Sequence, residues 1–375
     1  MMVNDTEFVD TVVIGGGQAG LAIGAELARQ GRAFVILDAE RRVGDAWRSR
    51  WDSLRLNTPA RFDGLPGLPF PGDRLAFPSK DEVASYLEDY AAVHGLPVRT
   101  GVRVDRVRRE GDRFVTSAGG NRWESHNVVV ATGGCQVPKV PEIADRLGGD
   151  IVQLHSSDYR NPAQLPAGPV LVVGVGNSGA EIARDTVSSH ETLIAGTPSA
   201  QPPVRPTRMN ARFVYPVFRF IGLHVLTTAN PIGRNAVAKF HTAPLIRTKV
   251  ADLVAEGVQV VPRVTGVEDG RPAFADGTRG EVSSVIWCTG YRDDFRWIDL
   301  PAFDDDGEPR QHRGVVESVP GLYFLGLEFL YALFSATLPG LGRDARYLAK
   351  RMRPPSDVQL TAVQASAGGR TERVR

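Results

Sequence analysis

Short apolar runs recur along the chain, each ending in glycine and followed by a stretch with helical periodicity. Residues 10–14 form a β-rich run that meets Gly15-Gly16-Gly17-Gln18-Ala19-Gly20; residues 19–30 then carry a helical pattern and residues 33–38 a second strand. The same order returns later, with a strand at 169–173, the turn Gly174-Val175-Gly176-Asn177-Ser178-Gly179, a helix at 180–188 and a strand at 192–195. Between the two units, residues 81–94 read as a helix, 98–108 and 113–116 alternate like strands, and the apolar run 128–131 completes a first sheet. Residues 202–249 carry irregular Pro and Gly with two apolar patches, at 213–220 and 223–226, and read as an insertion beside a site. Either patch lines an access route or packs on the sheet, and packing is the default. Strands at 285–288 and 322–325 and a helix at 342–352 close the pattern, ahead of a polar tail at 354–375 that is expected to be disordered.

This order predicts an α/β fold with two Rossmann-like dinucleotide-binding domains, the second inserted in the first. The first domain would be discontinuous, from 1–160 and 290–353; the second would run from 161–289, with its insertion near 202–249. A chain of 375 residues has ample apolar content for such a pair. Lys and Arg total 44 against 43 for Asp and Glu, which leaves no overall footprint of a nucleic-acid or anionic-membrane binder and points to small-molecule partners. Cys135 and Cys288 are the only cysteines and lack any C-x-x-C or metal-ligand spacing. A disulfide framework and a metal site are not expected, and the cytoplasm is the expected compartment. The first ten residues do not read as a signal peptide, and residues 321–340 suit a buried strand, loop and helix start better than a membrane span. Homo-oligomerisation is left open.

A strand running into G-x-G-x-x-G needs its glycines for a tight turn, for close approach of backbone to a pyrophosphate, and for helix packing. The helix N-terminus then faces the phosphates. Asp38 lies 23 residues after Gly15, at the offset where a carboxylate bonds ribose hydroxyls, so the first unit suits an unphosphorylated ribose such as that of FAD. The same offset from Gly174 reaches Thr197, where no carboxylate repels a 2′-phosphate, and Arg205 and Arg208 follow. This favours NADP over NAD, the alternative being that both arginines are ordinary solvated loop charges.

With Gly44-Asp45-Ala46-Trp47-Arg48, Ala131-Thr132-Gly133-Gly134 and Cys288-Thr289-Gly290-Tyr291, the two turns stand in an order that resembles the flavin-containing monooxygenase family. Its compact bacterial branch and the plant indole-pyruvate monooxygenases are the most similar. The resemblance covers nearly the whole chain up to about Arg353. Together with the spacing read above, it gives a cofactor-binding set of Gly15, Gly17, Gln18, Ala19, Gly20, Asp38, Asp45, Trp47, Arg48, Val104, Thr132, Gly133, Gly174, Gly176, Asn177, Ser178, Gly179, Thr197, Arg205, Arg208, Thr289 and Gly290. It also implies that Asn57, in Leu56-Asn57-Thr58-Pro59, is the catalytic amide beside flavin, nicotinamide and oxygen. The amide offers donor and acceptor without a titrating charge, and the plainer alternative is a turn residue before Thr-Pro. Trp47 is equally open to a core role. The family fingerprint F-x-G-x-x-x-H-x-x-x-Y is matched only at His155 and Tyr159, because Gly149 and Ile151 stand at its Phe and Gly positions. His155 reads better as fixing an interdomain link than as a chemical group.

The activity implied is an FAD-dependent, NADPH-driven monooxygenase. It would insert one oxygen atom from O2 into a small apolar organic substrate through a C4a-hydroperoxyflavin. The alternatives are an NAD(P)H:acceptor flavin oxidoreductase without oxygen insertion and a flavin-bearing redox-sensing regulatory protein. A disulfide reductase would need a cysteine pair that the spacing of Cys135 and Cys288 does not supply.

Overall fold

The structure, a computed structural model, describes residues 6–202, 204–239 and 244–354; apart from Pro354, the expected polar tail lies outside them. Strand β1 (Thr6–Ile14) is buried over its last six residues, as a strand covered on both faces must be, and it runs through the first glycine turn into helix α1 (Gln18–Arg29) and strand β2 (Phe34–Leu37). A short helix α2 (Asp45–Arg48) and helix α3 (Lys80–Val93) follow. Ser79 and Glu82 start α3 with a capping box that satisfies two otherwise unpaired N–H groups. Strands β3 (Val98–Arg99), β4 (Arg106–Glu110), β5 (Arg113–Ala118) and β6 (Asn121–Val130) complete the order β3-β2-β1-β6-β5-β4.

The expected strand over 98–108 is broken. Gly101 takes a left-handed φ of 70°, its N–H donates to Glu40 O and the Val102 N–H donates to Asp38 O, so the chain leaves the sheet and bonds the end of β2.

Strand β7 (Val137–Pro138) carries the chain out of the first sheet, and β8 (Val152–His155) already belongs to the second. The boundary expected at residue 160 therefore falls earlier, before Val152, because four residues of β8 pair in parallel with the distant strand β14 (Ser284–Trp287). Then come β9 (Val170–Val173), α4 (Asn177–Thr186) and β10 (Thr192–Ala195), which repeat the first βαβ unit. Beyond them, α5 (Arg208–Phe220), α6 (Pro231–Lys239) and α7 (Val250–Ala255) precede β11 (Gln259–Val261) and the hairpin β12 (Val264–Glu268) with β13 (Arg271–Phe274). Strand β14 (Ser284–Trp287) completes the parallel order β11-β10-β9-β14-β8. The insertion is thus more helical than its Pro and Gly content suggests, and α5 continues through Pro216.

The chain returns through β15 (Tyr291–Arg292), which pairs antiparallel with β7 where it first left. Strand β16 (Leu322–Phe324) adds in parallel to β6, and α8 (Leu338–Ala349) packs against α1. Residues 321–340 are a buried strand, a loop and a helix start. Among the described residues no helix is long and apolar enough to cross a membrane.

Candidate active site

The two glycine turns are built alike. Gly15 and Gly174 have φ of 107° and 113°, and a side chain on either would meet the carbonyl oxygen of Ala131 or Cys288 at 2.5 or 2.3 Å. Gly20 and Gly179 pack on those first glycines, with 1.8 and 1.9 Å between an added Cβ and the carbonyl oxygen. Gly17 and Gly176 differ from all four. Their backbones are extended, at φ of −75° and −93°, and nothing lies within 4 Å of an added Cβ. Neither fold nor backbone demands glycine there, so the open space fits a pyrophosphate that must touch the main chain.

The helices behind these turns fit the same ligand. Neither α1 nor α4 has a side-chain cap or an acidic residue in its first turn, so their leading N–H groups are left for an anion. Helix α8 also starts without a side-chain cap bond or an acid. Near the first turn, the buried Thr132 hydroxyl has no partner among the described residues.

Asp38 follows directly on β2, buried, with its carboxylate against Gly16: a Cβ on Gly16 would lie 2.6 Å from Oδ2. Burial raises its pKa, opposed by backbone N–H groups of Glu40 and Gly16. Ribose hydroxyls donated to this carboxylate would offset the lost hydration. In the second unit Leu37 has its counterpart in Ala195, because Gly15 N–H bonds Leu37 O as Gly174 N–H bonds Ala195 O. The residue in Asp38's place is therefore Gly196, not Thr197 as the spacing suggested; the second crossover is one residue shorter. No acid stands there in either register, and Thr197 comes next, exposed.

Both arginines read as phosphate ligands have carboxylate partners instead. Arg205 forms a two-pronged pair with Asp252, at 2.9 and 3.1 Å, and Arg208 pairs with Asp73. Asp45 and Arg48 pair with each other at 2.9 Å and Arg48 reaches Glu88, so these two brace α2 against α3. Val104 is half-buried against the main core, and Ser178 and Ala19 sit in the first turns of α4 and α1. Gly133 and Gly290, with φ of 68° and 82°, close the corresponding loops after β6 and β14. The Thr289 hydroxyl donates to Lys139 O at the crossing between the sheets. His155 holds that crossing too: its Nε2 contacts Gly290 O at 3.0 Å, its Nδ1 contacts Ser157 Oγ at 2.9 Å, and its ring meets Tyr291 edge-on. Burial lowers its pKa, and it stands outside the cavity lined by Gln18, Asn57 and Asn177.

A cavity of about 320 Å³ opens where the units meet. Gln18 and Trp47 line it from the first unit, joined by a 3.0 Å bond from the Trp47 indole N–H to Gln18 Oε1. Asn177 lines it from the second and clasps residues 244–246, donating to Pro244 O and accepting from the Ile246 N–H. Asn57 enters from the segment after α2, and its side-chain amide has no hydrogen-bond partner among the described residues. Thr337, Leu338 and Pro339 bring the start of α8, while Tyr215, Phe218 and Arg219 bring one face of α5. The 213–220 patch thus divides, part toward the cavity and part outward, rather than packing on a sheet.

Two further groups at this cavity belong to none of the sequence motifs. Arg219 lines the cavity, stands over the Phe62 ring and has no carboxylate partner among the described residues; burial and nearby Arg343 lower its pKa. Asp63 lies behind the wall. Fully buried, it accepts from the cavity-lining Thr58 hydroxyl at 2.6 Å, has no partner on Oδ2, and is pushed up to about 7 by burial. A charged residue inside an apolar stretch was the available signal for each.

A fold that repeats one anion-binding turn twice around a shared cavity is that of an oxidoreductase with two dinucleotide sites. Residues 12–205 match the pyridine nucleotide-disulphide oxidoreductase family, and the chain belongs to it. It is 38% identical to an uncharacterized CzcO-like oxidoreductase of Geobacillus kaustophilus over 91% of this chain and 97% of the relative. It is 29% identical to the rice indole-3-pyruvate monooxygenase YUCCA1, over 90% of each chain. Among solved structures, a flavin-containing monooxygenase from Stenotrophomonas maltophilia superposes with a TM-score of 0.74 at 30% identity, covering 96% of this chain and 99% of that one. The chain is a flavin-dependent oxidoreductase of the flavin monooxygenase type. Its two cysteines are both free, Cys135 exposed and Cys288 half-buried.

Proposed function

We propose that this protein is an FAD-dependent monooxygenase driven by NADPH and acting on a small, largely apolar organic substrate. The carrying observation is the cavity onto which the starts of α1, α4 and α8 open without side-chain caps, with the Asn57 amide, unpaired among the described residues, beside them. Gly15, Gly17, Gly20, Thr132 and Asp38 would hold FAD, and Gly174, Gly176, Gly179, Asn177 and Thr197 the nicotinamide cofactor. Together these cofactors supply two electrons for reducing O2, so that one oxygen atom enters the substrate and the other leaves as water.

The chain's own part is positioning and shelter. Asn57 presents both a donor and an acceptor to the reacting groups. Leu56, Phe218, Leu333 and Phe334 exclude water from a cavity whose only unpaired cation among its lining residues is Arg219. That cation can take a carboxylate on an otherwise apolar substrate, and a related plant enzyme is named for indole-3-pyruvate. The substrate panel for testing is therefore amines, sulfides and aromatic 2-oxo acids.

Asn57→Ala tests the assignment, since losing the amide should separate electron delivery from oxygen insertion. Anaerobic flavin reduction by NADPH is expected within about threefold of wild type, while product formed per NADPH falls at least about tenfold and hydrogen peroxide rises to match. Full coupling in the variant would leave Asn57 a turn residue. Wild-type protein that reduces quinones rapidly but oxygenates nothing in the panel would make it a reductase.

NADPH should reduce the flavin in preference to NADH, because Gly196 replaces the acid that would repel a 2′-phosphate. Thr197→Glu restores such an acid nearby and should move the preference toward NADH by at least about tenfold. Comparable reduction by both cofactors in the wild type, from stopped-flow absorbance, would refute this.

A further inference from the structure

We propose that the outer face of α5 docks on an anionic lipid surface. This helix is apolar on two sides. Ala211, Tyr215 and Phe218 face inward, the last two onto the cavity. On the other side Met209, Phe213, Val217 and Phe220, at the i, i+4, i+8 and i+11 positions of a single stripe, are 72, 63, 58 and 59% exposed. Four large apolar side chains exposed in one stripe form a patch that calls for a cover.

Charge selects what covers it. The whole chain is balanced, yet no Asp or Glu occurs between Glu191 and Asp252, a span that carries eight Lys and Arg. Arg205, Arg208 and Arg247 from this span pair with Asp252, Asp73 and Glu181, but Arg212, exposed beside the stripe and in contact with the Phe213 ring, has no carboxylate partner among the described residues. An apolar stripe flanked by arginine, on a helix that carries no acid of its own, matches a helix lying in the headgroup layer of an anionic bilayer.

Flotation of the full-length protein with phosphatidylcholine vesicles, with and without phosphatidylglycerol, tests this independently of the chemistry. The wild type should float with the phosphatidylglycerol vesicles only, and less as salt is raised. Phe213→Asp with Val217→Asp should reduce flotation at least about tenfold with an unchanged melting temperature, because both side chains are exposed. Arg212→Glu should weaken binding and flatten its salt dependence. No flotation of the wild type, or flotation that the double variant retains, overturns the proposal. So does a dimer in sedimentation velocity that the double variant dissolves, since a second copy would then be the cover.

Discussion

Gly17→Val protein is expected to fold as the wild type does and to purify without flavin, whereas Gly176→Val protein should stay yellow and resist reduction by NADPH. Both backbones are extended and nothing lies within 4 Å of an added Cβ, so valine meets open space where its side chain begins and a melting curve taken on flavin-free protein should hardly move. What valine would meet is the pyrophosphate. Keeping phosphate oxygens from the leading N–H groups of α1 or α4 removes about two charge-assisted hydrogen bonds. That loss costs about 3–6 kcal/mol, or roughly 10²- to 10⁴-fold in affinity. Gly20→Ala is the contrasting control: its methyl would lie 1.8 Å from Gly15 O, so the turn itself must move. Flavin retained at wild-type affinity by Gly17→Val would remove the first turn from the FAD site. Normal NADPH reduction of Gly176→Val would do the same for the second.

Asp63 should make the protein less stable as pH rises from about 4 to about 7. The folded chain holds this carboxyl protonated up to about 7, whereas the unfolded chain ionises it near 3.8. Through that window the unfolded state binds fewer protons, so unfolding is favoured progressively and the loss is complete above about 7. The gap between the two values corresponds to about 4 kcal/mol at most. Asp63→Asn keeps the shape and an acceptor for Thr58 without the charge, so the variant should gain on the wild type across the window and run parallel to it outside. Urea midpoints at a series of pH values measure the difference directly. Parallel profiles throughout would show that Asp63 is ionised at no unusual cost. Because Thr58 lines the cavity, the same titration also alters its wall, and a cofactor-loaded sample should show a smaller slope if binding fixes one protonation state.

Local sequence is enough to write the two βαβ units, because a buried parallel strand, a glycine turn and a helix are each set by neighbours a few residues apart. Gly15 and Gly20 pack together in the first turn and Asp38 follows directly on β2 for that reason, and the strand, loop and helix start over 321–340 form likewise. Pairing between distant segments was not legible in this way. That β8 joins the second sheet, and that Gly196 rather than Thr197 stands opposite Asp38, depends on hydrogen bonds to strands far along the chain. Ion pairing is likewise a tertiary matter: Arg205 and Arg208 look free in sequence and meet Asp252 and Asp73 only once α7 and the loop before α3 are in place. The cavity is the clearest case. Asn57, Asn177, Arg219 and Leu338 are separated by tens of residues, and only the packing of two sheets, α5 and α8 brings them to one space. Motifs specify what each turn can bind because that chemistry is local, whereas which side chains share a site is decided by burial, which a linear pattern of polar and apolar residues does not contain.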